Sequence, residues 1–93
     1  MESTSFKLRI EHCVEWNYRP DAEFIKEATL DKFENADVEI VKGEKGALEV
    51  FVTLPGKEPI LVWSKKTKGD KRVNAKNVFE VVDRISSVIS KNL

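Results

Sequence analysis

Cys13 is the only cysteine in the chain, and its thiol is the side chain best suited to covalent chemistry. A thiol has a reference pKa of about 8.5, so it is mostly protonated at neutral pH; nearby cations or a helix N-terminus increase its thiolate fraction. Trp16 follows three residues later, where a Cys-x-x-Cys motif has its second sulfur. The stretch EHCVEWNYRP therefore supplies half of a dithiol site. The competing interpretation is that Cys13 is a small buried hydrophobic residue.

His12 directly precedes Cys13 and suggests a thiolate–imidazolium pair of the kind that thiol hydrolases use. Adjacent residues on a strand point to opposite faces, so we expect His12 to be structural or to face solvent. No Asn or Asp can be tied to it as an orienting third group, which weakens a protease interpretation. One Cys and one His do not make a closed zinc site, so no metal is expected.

The elements that position Cys13 follow from the apolar pattern. Phe6, Leu8 and Ile10 alternate with charged residues, which predicts a strand that ends at His12 and Cys13. A helix follows from Pro20, with Asp21 as its N-cap. Its predicted apolar face consists of Phe24, Ile25, Ala28 and Phe33.

Three further strands and a second helix complete the pattern. The strands are predicted around Val38 and Ile40, over Leu48 to Leu54, and over Ile60 to Ser64, the last two joined by the hairpin loop PGKEP. Asn74 is expected to cap the last helix, whose apolar positions are Val78, Val82, Ile85 and Ile89. The order β-α-β-β-β-α predicts an α/β fold, an α+β two-layer sandwich. Its first two strands are parallel, an antiparallel hairpin is added, and the order is that of a thioredoxin-like domain.

This topology places the end of the first strand at the same sheet edge as the loops 42–46 and 65–74, and the PGKEP loop at the other edge. Ligands of open α/β sheets favour the carboxyl ends of strands. The second of these loops is basic, and a phosphate or nucleic-acid patch is one interpretation of it. A solvated turn is favoured, because the loop contains an Asp and lacks interleaved aromatic residues for base stacking. The basic residues are Lys65, Lys66, Lys68, Lys71 and Arg72.

The composition is that of a soluble globular protein. With 93 residues, 41% of them hydrophobic, the chain is expected to form one domain, 1–93, with 1–5 as a flexible N-terminus. Its 16 basic and 16 acidic residues cancel, which gives no overall bias toward nucleic acid. The polar start MESTS and the absence of a long apolar run argue against a signal peptide and a membrane span. We expect the cytoplasm, with the nucleus as the alternative.

The residues around Cys13 resemble those of the selenoprotein W, T and H (Rdx) family of thioredoxin-like proteins. In that family the first strand leads into Cys-x-x-Sec or Cys-x-x-Cys and then a Tyr-basic-Pro stretch, which here is Tyr18-Arg19-Pro20. The segments GALEVFV, 46–52, and VWSKKTKG, 62–69, are similar to the family's Gly-x-Phe-Glu-Val strand and its Ser-Lys-Lys corner. EHC, 11–13, looks most like the selenoprotein H branch.

The resemblance implies redox chemistry linked to glutathione or thioredoxin, with Cys13 at the first redox position and Trp16 at the selenocysteine or cysteine position. An indole cannot form a disulfide, so intramolecular dithiol exchange is excluded. Three explanations stay open. The scaffold has kept interactions and lost catalysis; Cys13 works as a monothiol; or codon 16 is UGA, and Trp16 stands in for selenocysteine.

The first functional hypothesis is a protein of cell redox homeostasis in which Cys13 reacts with glutathione disulfide or a client thiol. Glutathione is then a co-substrate, no bound cofactor is expected, and Trp16 shapes the pocket. The basic loop, with Lys65, Lys66 and Lys68, would hold the glutathione carboxylates. The alternative is a catalytically inactive module that binds a protein through Trp16, Tyr18 and Arg19. Binding of nucleic acid by the basic loop is the third and least favoured hypothesis.

Overall fold

The structure is a computed structural model and describes residues 5–92. The predicted flexibility of residues 1–5 lies outside this range, except for the exposed Ser5. Six elements follow one another in the predicted order. They are β1 (Lys7–His12), α1 (Arg19–Lys32), β2 (Asp37–Lys42), β3 (Leu48–Thr53), β4 (Ile60–Ser64) and α2 (Val78–Lys91).

The four strands form one sheet in the order β2-β1-β3-β4. β1 is parallel to β2, with Lys7 opposite Asp37, and antiparallel to β3, with His12 opposite Leu48. β3 and β4 form the predicted antiparallel hairpin, with an irregular register between Val50 and Phe51. A strand-helix-strand unit thus gives the parallel pair, and a hairpin completes the sheet.

The core lies on one face of the sheet, where alternate strand residues are buried as the period-two pattern requires. Both helices cover this face: α1 packs on β1, α2 packs on β4, and the helices contact each other. The fold prediction is confirmed. The central buried residues are Leu8, Ile10, Ile25, Leu48, Val50, Val52, Val81 and Ile85.

The predicted helix starts are wrong in both cases. α1 begins at Arg19 with Tyr18 at the N-cap, and the carboxylate of Asp21 bonds a distant loop instead of capping its own helix. α2 begins at Val78 with Asn77 as its N-cap residue. The Asn74 side chain accepts the backbone N–H groups of residues 76 and 77, so it closes the turn before the helix.

The apolar face of α1 also differs from the prediction. Ile25 is buried, but Phe24 is 38% exposed, and the buried side of the helix includes Asp21, Ala22 and Thr29. This helix therefore fits the sheet through small and polar residues as well as apolar ones, and large apolar side chains alone do not identify its inner face.

Candidate thiol site

Cys13 lies in a short loop at the carboxyl end of β1, and the backbone fixes it on both sides. Its N–H donates to the carbonyl of Ala47 (2.7 Å), and its carbonyl accepts the N–H of Tyr18 (3.0 Å). Asn17 adopts the left-handed conformation with φ 53°, which Asn tolerates better than most residues. The chain reverses within this loop and enters α1 at Arg19.

The sulfur of Cys13 is fully buried, with no exposed surface. It accepts a hydrogen bond from the backbone N–H of Trp16, at 3.3 Å. This hydrogen bond holds the sulfur against the backbone of its own loop. A disulfide can reach the sulfur only after the residues around Cys13 move.

The indole of Trp16 lies over Gly46, in the loop between β2 and β3. Gly46 has φ +82°, and a Cβ built there would come within 3.2 Å of the Trp16 ring. The indole also meets Tyr18 edge to face, with 6.1 Å between ring centroids. Glycine is thus favoured at position 46 for two reasons: it adopts the positive φ without strain, and it allows the close approach of the Trp16 ring. About half of the Trp16 surface, 52%, remains exposed.

Tyr18 belongs to the core and is only 6% exposed. Its ring is covered by two cations from the loop after β4: the guanidinium of Arg72 at 4.5 Å from the centroid and the ammonium of Lys65 at 5.7 Å. Such contacts contribute about 0.5–1 kcal/mol each at exposed sites. They join the basic loop to the Cys13 loop.

Asp21 ties the same basic loop to the start of α1. Its carboxylate accepts two hydrogen bonds from Arg72, at 2.8 and 3.2 Å, and one from the backbone N–H of Val73, at 2.8 Å. The hydrogen bond and charge of Asp21 raise the pKa of Arg72. The Asp21 side chain is 4% exposed, whereas that of Arg72 is 52% exposed. The two partners of this ion pair therefore differ in exposure: the carboxylate is buried, and the guanidinium remains in contact with solvent.

Three further side chains hold the basic loop against β4 and α2. The indole N–H of Trp63 donates to the carbonyl of Lys71 (2.9 Å), and the Arg84 guanidinium stacks on the same indole at 4.4 Å. Asp70 accepts from the N–H of Ser64 (2.9 Å) and from Arg84 (2.8 Å). Burial raises the pKa of Asp70, but Arg84 and the Ser64 N–H outweigh this effect, so the pKa lies below its ordinary value.

The corner that begins at Ser64 is organised by a buried carboxylate. The Ser64 hydroxyl donates to Glu49 and accepts the N–H of Thr67 (2.8 Å), and Glu49 also accepts the N–H of Lys66 (3.4 Å). Glu49 is 8% exposed, so these bonds offset the cost of burying its charge. The backbone of the basic loop is consequently well defined where it leaves the sheet.

The structure brings together some of the predicted site residues and separates others. Cys13, Trp16, Tyr18 and Lys65 lie around one loop, as described above. The ammonium of Lys66 instead pairs with Glu44, which lowers the pKa of Glu44. Arg19 pairs with Glu23 on the outer side of α1, and Lys68 lines a groove between β4 and α2.

Sequence reasoning missed Asp21, Lys45 and Gly46 as parts of this site. The loop 42–46 was placed at the correct edge of the sheet, but no local signal shows that Trp16 packs on Gly46 or that the Lys45 ammonium lies 5.9 Å from the Trp16 ring. Asp21 was assigned to its own helix because Asp is a common N-cap residue.

His12 is 5% exposed and shares the inner face of β1 with Leu8 and Ile10. Its Nδ1 atom has no hydrogen-bond partner among residues 5–92. This placement makes His12 a core residue, one of the two positions expected for it. Within the same residues, no three His, Cys, Asp or Glu side chains come together in a way that could hold a metal ion.

The surface beside Cys13 combines apolar and basic side chains. Val14 and Trp16 are each 52% exposed, and Glu15, Lys42 and Lys45 line a shallow pocket next to Cys13 and Val14. Together with Lys65, these residues form what we call the Trp16 face. Among the described residues, its three lysines form no ion pair within 4.0 Å.

The fold and the site define a thioredoxin-like protein with one sulfur at the end of its first strand. The model of the Rdx family matches residues 7–87 of this chain, and the chain belongs to that family. A crystal structure of a selenoprotein W-related protein from Vibrio cholerae has the same fold, with a TM-score of 0.65. The sequences are 18% identical, and the match covers 91% of this chain and 98% of the other. Among curated proteins, no match was found.

The two helices are 14 residues long each. In the part of the chain that the structure describes, neither α1 nor α2 is long and apolar enough to cross a membrane.

Proposed function

We propose that this protein is a thiol redox protein in which Cys13 reacts as a monothiol with glutathione as co-substrate. The observation that carries this proposal is the position of Cys13: it directly follows β1, and its sulfur accepts the N–H of Trp16. Membership of the Rdx family supports redox chemistry in general. Trp16 at the second redox position excludes an internal disulfide, so the second sulfur must come from another molecule.

The chemistry balances with glutathione and a sulfenylated client. The Cys13 thiolate attacks the client sulfur and displaces hydroxide, which forms a mixed disulfide. A glutathione thiolate then attacks the Cys13 sulfur, releases the client as a thiolate and leaves Cys13 joined to glutathione. A second glutathione breaks this bond, so Cys13 is regenerated and glutathione disulfide leaves. Two glutathione molecules are oxidised for each client reduced, and the hydroxide takes up a proton to become water.

The burial of Cys13 requires a gated reaction. We infer that the loop 14–17 opens, because its Trp16 N–H bonds the sulfur; this movement would expose the covered half of Trp16, and a fully buried Trp covers about 200 Å². At about 25 cal/mol per Å² this half contributes about 2.5 kcal/mol, which corresponds to roughly one open molecule in a hundred. The lysines of the Trp16 face, Lys45 and Lys65, remain beside the opened loop and suit the two carboxylates of glutathione.

The experiment is a comparison of glutathione oxidation rates with a small disulfide substrate. Cys13→Ser should abolish the protein-dependent rate, because no other sulfur of this type exists in the chain. The control is Ser90→Ala, which removes an exposed hydroxyl on α2, away from Cys13, and should retain the full rate. An unchanged rate in Cys13→Ser would remove Cys13 from the mechanism.

A further inference from the structure

The Trp16 face has two features that a thiol site alone does not need. Val14 and Trp16 are two of the four large apolar side chains that are exposed in the described part of the chain, and only Glu15 separates them. Trp is among the residue types that most often carry binding energy in protein interfaces. Redox chemistry needs access to the sulfur, but it does not need this exposed apolar pair.

The charges at this edge of the sheet are strongly biased. The chain has no net charge, but residues 42–46 and 65–72 contain seven basic residues and two acidic ones, and Glu15 of the Cys13 loop adds a third carboxylate. Part of this charge is neutralised inside the molecule, because Lys66 pairs with Glu44 and Arg72 pairs with Asp21. Lys42, Lys45 and Lys65 keep their charges available to a ligand, and all three belong to the Trp16 face.

We propose that the Trp16 face docks an acidic segment of a partner protein that carries an apolar side chain among its carboxylates. The apolar side chain would contact Val14 and Trp16, and the carboxylates would meet Lys42, Lys45 and Lys65. This proposal goes beyond the thiol chemistry, since the docking requires no sulfur. Charge complementarity selects the partner: a basic or neutral segment would leave the lysines unpaired.

Nucleic acid is the competing polyanion, and the structure favours it less. Single-stranded nucleic acid is bound by several aromatic side chains on which successive bases stack. Here Trp16 is half exposed, but Tyr18 is buried beneath Lys65 and Arg72. One exposed aromatic ring beside one exposed valine fits a single apolar side chain of a peptide better than a row of bases.

The test uses a dye-labelled synthetic peptide of alternating Glu and Leu, and a matched peptide in which every Glu is replaced by Lys. Fluorescence anisotropy measures both against the whole protein, at low salt and at about 0.3 M salt, where screening is strong. A single-stranded oligonucleotide of equal charge is measured in parallel. We expect the Glu peptide to bind, the Lys peptide not to bind, and salt to weaken binding at least threefold.

Variants test whether the Glu peptide binds at the Trp16 face or elsewhere on the surface. Trp16→Ala and Lys45→Glu should each weaken binding of the Glu peptide about tenfold. The matched control Lys57→Glu makes the same charge change in the opposite loop and should leave binding within about twofold. Trp63, which is buried, reports through its fluorescence that each variant is folded.

The proposal is overturned if neither peptide binds, if the Lys peptide binds equally well, or if the oligonucleotide binds more tightly than the Glu peptide. It is also overturned if Trp16→Ala and Lys45→Glu bind like the wild type, or if Lys57→Glu weakens binding as much as Lys45→Glu. Cys13→Ser distinguishes the two proposals. Docking predicts that this variant still binds the Glu peptide, whereas the proposed redox function predicts that it forms no glutathione adduct.

Discussion

Asp21 and Glu23 form a matched pair that tests how the basic loop is held to the Cys13 loop. Both are acidic residues near the start of α1, and each pairs with an arginine. The Asp21 side chain is 4% exposed and bonds a loop 51 and 52 residues away, whereas Glu23 is 46% exposed and bonds its own helix. Alanine at each position therefore removes an ion pair in two different environments.

The expected loss for Asp21→Ala is about 2–3 kcal/mol in the free energy of unfolding. Most of this comes from the buried N–H of Val73, which would lose its acceptor at a cost of about 1–3 kcal/mol. The Arg72 guanidinium is half exposed and can return to water, so its lost ion pair adds less than about 1 kcal/mol. Glu23→Ala removes an exposed helical pair and should cost about 0.5 kcal/mol or less.

Urea unfolding and thermal unfolding, both followed by far-UV circular dichroism, measure the two losses. For a domain of this length, the Asp21→Ala variant should melt roughly 10 °C or more below the wild type, and Glu23→Ala within a few degrees. Asp21→Asn keeps an oxygen acceptor for Val73 and should lie between them. Equal losses in the two alanine variants, or a loss below about 1 kcal/mol for Asp21→Ala, would contradict the anchoring role of Asp21.

Three further predictions concern the pH dependence, the glycine beneath the indole, and the codon of Trp16. The pKa of Asp70 is lowered in the folded protein, so its contribution to stability is present above the unfolded pKa of about 3.9 and is lost as the pH falls through the folded pKa. The free energy of unfolding, measured between about pH 2 and 5, should therefore fall more steeply with acid in the wild type than in Asp70→Asn. Gly46→Ala should displace the Trp16 indole and speed alkylation of Cys13 by iodoacetamide. The control Gly56→Ala, at a glycine with a similar positive φ and no neighbour within 4 Å, should leave the alkylation rate unchanged. Equal rates in the two variants would contradict the packing of Trp16 on Gly46. The monothiol proposal expects UGG at codon 16, and sequencing that shows UGA would make Trp16 a substitute for selenocysteine.

The strands and their faces could be predicted from the sequence because burial on a sheet repeats every two residues. Leu8 and Ile10 on β1, and Val50 and Val52 on β3, lie on the inner face, where their alternation places them. The strand directions alone predicted that Cys13 and the loops 42–46 and 65–74 lie at the same edge of the sheet. These features depend on local patterns and on topology, which a single sequence carries.

The contacts that complete the site could not be predicted, because they join residues far apart in the chain. Asp21 has the residue type and position of an N-cap, and nothing near it indicates that Val73 and Arg72 provide better partners. Likewise, Trp16 and Gly46 are 30 positions apart, and their contact depends on how two loops approach each other. Side-chain pairing of this kind is decided by tertiary packing, which overrides local preference.

We propose above all that Cys13 is a reactive sulfur whose access depends on movement of the loop 14–17. The most direct test incubates the folded protein with glutathione disulfide and follows the mixed disulfide by intact mass, with Cys13→Ser as the blank. We expect a slow adduct in the wild type and a rate about 10- to 100-fold higher in Trp16→Ala, because the covered indole surface contributes about 2.5 kcal/mol to closure of the loop. The absence of an adduct in both proteins, under conditions where the urea-unfolded chain is modified, would contradict the claim.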